Sequence, residues 1–317
     1  MNILITGITG FIGYHLAREL HNLQHTVFGI DNFSEYYDPR IKRWNQRQLE
    51  DLGITVLEGD LKYDHTYTIF PKEIDFIIHL AAQPGIASTS TFENYLDNNI
   101  IATQKLIAHT ERTYPNLLLF INISTSSIYG LDATHPEETV PQPASNYGVT
   151  KLAAEQLVLK QDRSNIFPAC SLRLYSVYGP GERPDKLFTK LICAALNGTP
   201  FTLFEGSLSH KRSFTYVSDI VRGIIAAIDK YTSISGDVIN IGSDREYTTK
   251  QGIEVVEKLL GPIVIEMKPA RFGDQKQTKA IIEKAKERLA YHPNTTLEEG
   301  VQQQIIWVRQ MKNEGIL

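Results

Sequence analysis

The chain begins with a short apolar run, Ile3–Thr6, that is followed at once by three glycines at every third position. Gly7 permits a tight turn out of a strand, Gly10 lets a pyrophosphate approach the backbone, and Gly13 lets a following helix pack closely. Amide groups at the N-terminus of such a helix attract anions. The pattern therefore predicts a strand, a phosphate-binding turn and a helix, as in a parallel sheet covered by helices. The loop residues expected to contact a dinucleotide are Gly7, Gly10, Phe11, Ile12 and Gly13.

Asp31 ends the second apolar run and lies 18 residues after Gly13. A carboxylate at this place accepts hydrogen bonds from the adenosine ribose and repels a 2′-phosphate. The nearest downstream arginine, Arg40, is too distant to help bind such a phosphate. A glycine triplet alone is also compatible with an ordinary turn, but Asp31 in this position favours the dinucleotide. Together the two features predict NAD in preference to NADP.

Short apolar runs alternate with helical patterns over the first part of the chain. Apolar side chains at consecutive positions are typical of strands that are covered on both faces. Strands that alternate with helices predict an α/β fold, a Rossmann-type doubly wound parallel sheet. The predicted strands are Ile3–Thr6, Thr26–Ile30, Ile54–Glu58, Phe76–Leu80, Leu117–Ser124 and Ala169–Leu174, and the predicted helices are Tyr14–Leu23, Tyr95–Thr113 and Tyr147–Lys160.

The alternation becomes less regular after Gly179–Gly181. We therefore expect residues 1–175 to form the NAD-binding Rossmann domain. Residues 176–317 are expected to form a smaller, partly interleaved lobe, with a segment near 237–242 returning to the sheet. The elements predicted in this lobe are one strand, Asp237–Ile241, and two helices, Thr249–Leu260 and Lys279–Leu289.

The composition argues against several other classes of protein. The formal net charge is −4 and no basic run is present, so a general attraction to nucleic acid or to an anionic membrane is not expected. Cys170 and Cys193 are the only cysteines, too few for a disulfide framework or a cysteine-rich zinc site. No apolar stretch approaches the roughly 20 residues that span a bilayer, and the start lacks the basic leader of a signal peptide. We expect a cytoplasmic protein that uses no metal.

Tyr147 and Lys151 lie four residues apart in a predicted helix, and Thr125 follows the fifth predicted strand. An ammonium one helical turn from a phenol stabilises the ionised form of that phenol. Such a phenol can take a proton from a sugar hydroxyl while hydride leaves the same carbon for a nicotinamide. Thr125, Tyr147 and Lys151 are therefore the predicted catalytic residues.

Two polar residues near strand ends have ordinary structural alternatives. Asp60 follows the third predicted strand, where its carboxylate could bind the amino group of adenine or could cap a helix. His79 ends the fourth predicted strand, and we interpret it as a buried, hydrogen-bonded histidine in preference to a catalyst. The small residues Ala81 and Ala82 after it would let the backbone lie against the cofactor.

Four further segments, taken with these features, make the chain resemble the extended short-chain dehydrogenases/reductases. More narrowly, it resembles the NAD-dependent nucleotide-sugar epimerase/dehydratase family, essentially end to end. The segments are Asn122–Gly130, Leu172–Pro180, Lys211–Asp219 and Arg271–Asp274. The resemblance implies that Tyr147 is the base, that Lys151 holds the nicotinamide ribose, and that residues 176–317 bind a nucleotide sugar. It also implies a homodimer, since family dimers pair the helices that match Tyr95–Thr113 and Tyr147–Lys160.

The same resemblance implies a set of binding residues. Arg212 and Arg271 would hold the nucleotide while the sugar turns. The implied cofactor contacts beyond the glycine loop are Asp31, Asn32, Asp60, Leu61, Leu80, Ala81, Ala82, Gln83, Asn99, Tyr147, Lys151, Tyr175 and Val177. The implied substrate contacts are Pro84, Thr125, Ser126, Ser176, Arg183, Arg212, Arg271 and Asp274.

The two residues after Thr125 indicate the reaction type. Dehydratases of the family place Asp-Glu there, and its nucleotide-sugar decarboxylases carry a glutamate two positions after the Ser/Thr. This chain has Ser126 and Ser127, so the acid or base of both eliminations is missing. An epimerase needs neither, because it oxidises the sugar, turns the ketone and reduces it again. The resemblance therefore favours a 4-epimerase over a decarboxylase or a dehydratase.

Three segments further resemble the UDP-glucuronate 4-epimerases, in which an arginine at the position of Arg183 holds the sugar carboxylate. Guanidinium and carboxylate geometries match well, although Arg183 could also be a solvated loop charge. Ala87 stands where an arginine is common in that subfamily, Ser176 where threonine is usual, and Arg271 looks more like the neutral-hexose enzymes. The segments are Asp31–Asp38 with Lys42 and Arg43, His79–Gly85, and Tyr178–Asp185.

Conversion of UDP-glucuronate to UDP-galacturonate through a 4-keto sugar is accordingly the expected reaction. A 4-epimerase of UDP-glucose or UDP-N-acetylglucosamine stays open as an alternative. A non-catalytic NAD-binding regulator is the most distant alternative, since such a protein should tend to lose the set of Thr125, Tyr147 and Lys151, which is intact here.

Overall fold

A computed structural model describes residues 1–85, 90–270 and 276–317. Its centre is a seven-stranded sheet in the order β12-β7-β5-β4-β1-β2-β3, in which every neighbouring pair is parallel. The predicted α/β, Rossmann-type doubly wound fold is confirmed. The strands of this sheet are β1 (Asn2–Thr6), β2 (Thr26–Asp31), β3 (Thr55–Glu58), β4 (Phe76–His79), β5 (Leu119–Thr125), β7 (Ala169–Leu174) and β12 (Val238–Ile241).

The consecutive apolar residues of the central strands are explained by two cores, one on each face of the sheet. Ile3 and Ile5 of β1 belong to one hydrophobic cluster, whereas Leu4 between them belongs to the other. Likewise Phe120 of β5 lies in the second cluster, and its neighbour Ile121 lies in the first. Successive side chains of a strand point to opposite faces, so a strand covered on both faces must be apolar throughout.

Helices cover the large sheet, and small sheets complete the rest of the fold. The α-helices are α1 (Phe11–Asn22), α2 (Pro39–Glu50), α3 (Phe92–Tyr95), α4 (Ala102–Thr113), α5 (Asn146–Arg163), α6 (Leu187–Asn197), α7 (Val217–Asp229), α8 (Thr249–Leu260), α9 (Glu283–Leu289) and α10 (Leu297–Asn313), with a π-helical segment at Leu96–Ile101 and 3₁₀ segments at Asp64–Ile69, Ser126–Tyr129, Ser207–Ser209 and Tyr231–Ser233. The remaining strands are β6 (Asp132–Ala133), β8 (Val177–Tyr178), β9 (Phe201–Phe204), β10 (Lys211–Arg212), β11 (Thr215–Tyr216), β13 (Tyr247–Thr248), β14 (Ile265–Lys268) and β15 (Gln277–Thr278).

The chain returns to the large sheet after leaving it. β12 pairs with β7, although β8 to β11 and α6 to α7 lie between them in the sequence. The remaining strands pair as β13-β10-β15-β6, β11-β8 and β14-β9. The division at residues 175 and 176 stays a prediction. Within the described parts of the chain, no helix is long and apolar enough to cross a membrane.

Several helix boundaries differ from the prediction, among them the starts of α1 and α9. α1 begins at Phe11, directly after Gly10, and not at Tyr14. The helix predicted from Lys279 begins only at Glu283, because the Lys279 amide donates to the Ala133 carbonyl at 2.9 Å and extends the pairing of β15 with β6. Backbone groups that are used by a neighbouring strand are not available to a helix.

Candidate active site

The glycine loop follows β1 and lies against the residues after β4, and two of its glycines leave no room for a Cβ atom. Gly7 has φ +72°, a region favoured by glycine, and a Cβ atom there would lie 3.0 Å from the Ala81 nitrogen. A Cβ at Gly13 would overlap the Gly7 carbonyl. Helix α1 has no side-chain cap at Gly10, so its first amides can serve an anion. The loop is therefore a cradle that fits the pyrophosphate of a dinucleotide.

A cleft opens along the carboxyl ends of the first four strands, where ligands bind in open α/β sheets. The predicted residues that line it are Gly7, Gly10, Phe11, Ile12, Gly13, Asp31, Asn32, Asp60, Leu61, Leu80, Ala81, Ala82, Gln83, Pro84, Val177 and Arg183. The lining residues that the sequence analysis did not single out are Ile30, Ser34, Tyr36, Tyr37, Lys42, Gly59, Asn98, Ala102, Glu182 and Lys186.

Asp31 is held rigidly at the end of β2. One carboxylate oxygen accepts from the Phe33 amide at 2.9 Å and the other from the Thr9 amide at 3.2 Å. The buried ammonium of Lys42 lies 3.6 Å from the Asp31 carboxylate and also donates to Ser34. Lys42 was missed as a lining residue, although it belongs to a segment that carried the family resemblance. The fixed carboxylate fits the ribose hydroxyls that the sequence predicted for this position.

Replacing Asp31 by alanine should weaken NAD binding by about tenfold and NADP binding by much less, because only NAD has a free 2′-hydroxyl to donate to the carboxylate. Calorimetric titration of the protein with both dinucleotides measures the difference. Asp64→Ala removes the same charge from an exposed site and should change neither affinity. NADP binding as tight as NAD binding in the unmodified protein would contradict the role of Asp31.

The structure shows which hydrogen bonds Asp60 and His79 make. Asp60 accepts from the Lys62 amide at 3.0 Å and from Asn32 at 3.2 Å, so it orders a turn that faces the cleft and caps no helix. His79 is buried between the hydroxyls of Thr6, at 2.7 Å, and Thr103, at 2.9 Å. Burial lowers the pKa of His79 to about 3, so the ring is neutral and structural.

Thr125 and Tyr147 meet where β5 and α5 approach each other. The Ser145 hydroxyl accepts from the Gly148 amide at 3.1 Å and starts α5, so that Tyr147 lies in its first turn. Thr125 and the Gly85 backbone are near enough to the Tyr147 phenol to lower its pKa against the effect of burial. Through Gly85, which follows Pro84 of the cleft wall, the phenol adjoins the cleft. A sugar hydroxyl at this point could transfer its proton to Tyr147.

The expected effect of Lys151 on Tyr147 is not seen. The pKa of Tyr147 is raised by burial, and the groups that oppose this shift are Thr125 and Arg183. The Lys151 ammonium instead donates to the Ile123 carbonyl at 2.6 Å. Burial lowers the pKa of Lys151 to about 8, against the influence of Glu155. A spacing of four residues puts two side chains on one helix face, but the carbonyl of β5 takes this ammonium away from the phenol.

Asn99 lies in the π-helical segment and supports the cleft wall from behind. Its side-chain oxygen accepts from the Gln83 amide at 2.7 Å, and its amide group donates to Thr150 at 3.0 Å. Asn99 is buried and is not among the residues that line the cleft. It therefore joins the loop after β4 to helix α5, an effect that the spacing in the sequence could not reveal.

Several predicted residues lie away from the cleft lining. Tyr175 is fully buried, and its hydroxyl has no hydrogen-bond partner among the residues that the structure describes. Ser126 is buried beside Thr125, and Ser176 accepts a backbone bond from Thr215 at 3.1 Å. Arg212 lies on β10, in the four-stranded sheet. The predicted residues Arg271 and Asp274, and the departure at Ala87, lie outside the described residues.

Arg183 is well ordered by its neighbours. Its guanidinium makes two hydrogen bonds to Asp185, at 2.9 and 2.8 Å, and lies 5.1 Å from the centre of the Tyr36 ring. Only 11% of its side chain is exposed, so it is not a solvated loop charge. The loop that carries it is bound to α1, since a ring nitrogen of His15 lies 2.7 Å from the Pro180 carbonyl.

Glu182, next to Arg183, lines the cleft and was not among the predicted site residues. It is buried and accepts from the Thr189 amide at 3.1 Å and from Gln304 of α10 at 2.7 Å. Burial raises the pKa of Glu182 to about 7 against these donors. The carboxylate thus fixes the loop between α6 and α10, and no local pattern marked it because Gln304 is far away in the sequence.

Comparisons with known proteins agree with this arrangement. The sequence model of the NAD dependent epimerase/dehydratase family matches residues 3–242. A Bacillus subtilis (strain 168) protein described as an uncharacterized UDP-glucose epimerase, YtcB, is 35% identical over 314 residues, covering 97% of this chain and 98% of its own. UDP-glucuronate 4-epimerase 3 of Arabidopsis thaliana is 31% identical, covering 99% of this chain and 78% of its own. The crystal structure of UDP-glucuronic acid 4-epimerase from Bacillus cereus in complex with UDP-glucuronic acid and NAD has a TM-score of 0.91, 35% identity, and coverage of 98% of this chain and 100% of that chain.

Proposed function

Since the chain belongs to the NAD-dependent epimerase/dehydratase family, we propose that it is an NAD-dependent 4-epimerase of UDP-sugars that converts UDP-glucuronate to UDP-galacturonate. The observation that carries the proposal is the position of the Tyr147 phenol. Thr125 and the cation Arg183 are near enough to the phenol to lower its pKa, and the phenol stands beside a cleft shaped for a dinucleotide. The hydroxyl of a sugar bound there would lie next to Tyr147, which can accept its proton, and near the site for the cofactor.

Each residue near the phenol has its own role in the reaction. Thr125 holds the C4 hydroxyl by a hydrogen bond, and Tyr147 takes its proton. The glycine loop and Asp31 would hold NAD, which would supply a reversible hydride acceptor for C4, so that the sugar could turn as a 4-keto intermediate between its oxidation and its reduction on the other face. Tyr147 then gives the proton back to the C4 oxygen. The charge of Arg183 and the hydroxyl of Thr125 favour the phenolate against the cost of burial.

Other groups hold the ligands in place during the turn. The glycine loop and the first amides of α1 hold the pyrophosphate, Asp31 holds the adenosine ribose, and Lys151 the nicotinamide ribose. We assign the nucleotide phosphates to Arg212 and Arg271, with Asp274, Ser126 and Ser176 near the substrate, on the strength of the family resemblance. Charge-assisted pairs of this kind resist displacement while the sugar moves.

Arg183 is proposed to hold the sugar carboxylate. Oxidation of C4 makes a uronate into a β-keto acid, which loses carbon dioxide when its carboxylate turns out of the plane. Arg183→Leu should therefore lower activity on UDP-glucuronate by about tenfold to a hundredfold, as expected for one charged hydrogen bond. The remaining turnover should release UDP-pentose. Separation of the products by chromatography measures both effects.

UDP-glucose is the matched substrate for that variant, because it has no carboxylate to hold or to lose. Because Arg183 also favours the Tyr147 phenolate, turnover of UDP-glucose by Arg183→Leu should fall as well, but by less than turnover of UDP-glucuronate, and no UDP-pentose should form. One observation supports the alternative, a neutral-sugar 4-epimerase: the similarity to the B. subtilis relative, which is described as a UDP-glucose epimerase. Incubation of the unmodified protein with a panel of UDP-sugars decides between the two, since good turnover of UDP-glucose without turnover of UDP-glucuronate would refute the uronate assignment.

Three properties complete the proposal. The chain forms a homodimer through the helical stretches Tyr95–Thr113 and Tyr147–Lys160, by analogy with the family. It acts in the cytoplasm, consistent with its two free cysteines. Residues 1–175 serve the cofactor and residues 176–317 serve the nucleotide sugar.

A further inference from the structure

A second cation lies beside Arg183. The backbone of Arg183 to Lys186 closes into a turn in which the Lys186 amide donates to the Arg183 carbonyl at 3.1 Å. Both side chains face Gly85, which has φ +73°. A Cβ atom at Gly85 would lie 3.0 Å from Nη2 of Arg183 and 3.5 Å from Nζ of Lys186. The guanidinium and the ammonium therefore converge on one point, and both line the cleft.

The two cations differ in how far their charge is already compensated. Arg183 makes two hydrogen bonds to the Asp185 carboxylate. For Lys186 the described residues show no ion pair, although Asp185 and Glu182 are near enough to act on its charge. Partial removal of water, followed by the nearby charge of Arg183, lowers the pKa of Lys186. The charged form of such a partly desolvated ammonium is stabilised when an anion binds next to it.

The same point is tied to the catalytic phenol. The Gly85 carbonyl accepts from Tyr95 at 2.9 Å, the Tyr95 ring lies 6.2 Å from the Tyr147 ring, and the Gly85 backbone is near enough to the Tyr147 phenol to lower its pKa. In a hexuronate the carboxylate carbon is two bonds from C4, the carbon whose hydroxyl Tyr147 deprotonates. A sugar with its C4 oxygen at Tyr147 can therefore carry its carboxylate to the corner formed by Gly85, Arg183 and Lys186.

We propose that Lys186 binds the carboxylate of the sugar together with Arg183 and thereby makes the site selective for uronates over neutral sugars. Asp185 partly neutralises the positive charge of Arg183, and Lys186 supplies additional positive charge beside it. The two cations hold the carboxylate from two directions. The inference rests on the proposed function, since it takes a UDP-sugar with its C4 hydroxyl at Tyr147 as given.

The test compares Lys186→Met, Lys186→Arg and the control Lys190→Met in the full-length protein loaded with NAD. Lys190 is an exposed lysine one turn further along α6 and is not among the cleft residues. Steady-state kinetics with UDP-glucuronate and UDP-glucose give KM and kcat. Calorimetry with UDP, and with NAD for the cofactor-free protein, distinguishes an effect on binding of the sugar from an effect on binding of the phosphates.

Lys186→Met should raise KM for UDP-glucuronate by about tenfold to a hundredfold, the size of one charge-assisted hydrogen bond. KM for UDP-glucose and the affinities for UDP and NAD should stay within about twofold. Lys186→Arg should keep most of the uronate affinity, because it keeps the charge, and Lys190→Met should behave as the unmodified protein.

Two results would overturn the assignment of Lys186 alone. One is an unchanged KM for UDP-glucuronate in Lys186→Met while the unmodified protein epimerises that substrate. The other is an equal loss for UDP-glucose, UDP or NAD, which would place the ammonium at a phosphate. If the unmodified protein acts only on neutral UDP-sugars, or on none, the proposed function itself fails and the assignment of Lys186 fails with it.

Discussion

Tyr147→Phe should reduce turnover by about 10²- to 10⁴-fold, the range expected when a positioned proton acceptor is removed. The phenylalanine keeps the ring but lacks the phenol oxygen, whose pKa Thr125 and the Gly85 backbone lower. NAD affinity should be preserved, since Lys151 and the glycine loop are unchanged. Product formation from UDP-sugars gives turnover, and calorimetry gives the affinity for NAD.

Tyr63→Phe is the matched control for this variant, because the Tyr63 side chain is exposed and lies outside the cleft lining. It should leave turnover unchanged. Near-normal turnover of Tyr147→Phe would show that another group removes the proton, and the proposed mechanism would then be wrong.

Glu155→Ala should lower the free energy of unfolding by about 3–5 kcal/mol, because it leaves a buried guanidinium without its partner. Glu155 and Arg173 form two hydrogen bonds, at 2.7 and 3.1 Å, and their side chains are 0% and 4% exposed. Arg173 also donates to the Tyr129 hydroxyl at 2.7 Å, so its charge lies within a closed polar network. Urea unfolding followed by circular dichroism measures the loss.

The paired substitution Glu155→Leu with Arg173→Met separates an unpaired charge from a simple loss of contacts. Apolar side chains of similar size in place of both ions should restore most of the stability, since neither charge is then left buried alone. A loss of less than about 1 kcal/mol in Glu155→Ala would mean that water reaches Arg173.

The parts of the molecule that the sequence predicted well depend on local patterns. The runs around Leu4 and Phe120 identified strands because two cores require apolar residues on both faces of each strand. The glycine loop was recognisable because Gly7 has φ +72° and Gly13 has no space for a Cβ beside the Gly7 carbonyl, both of which are properties of the local backbone. The apolar runs and the glycine spacing can therefore be interpreted without knowledge of the rest of the chain.

The parts that the sequence could not reveal depend on distant partners. Lys42 and Lys186 enter the same cleft from segments that are more than a hundred residues apart. The direction of the Lys151 ammonium is decided by a carbonyl of β5, and the role of Asn99 by the Gln83 amide. A helical spacing of four residues gives proximity, but it does not say which acceptor a side chain will choose.

The position of β12 has a consequence for how the protein is made. β7 lies between β5 and β12, and all six of its residues are buried. During synthesis β7 leaves the ribosome more than sixty residues before β12 does, so the nascent chain carries an unpaired sheet edge until residue 241 has emerged. Exposed edges of this kind recruit other strands. A gene fragment that ends at residue 175 would encode that edge permanently, so the cofactor half cannot be separated from the rest of the chain without a substitute for β12.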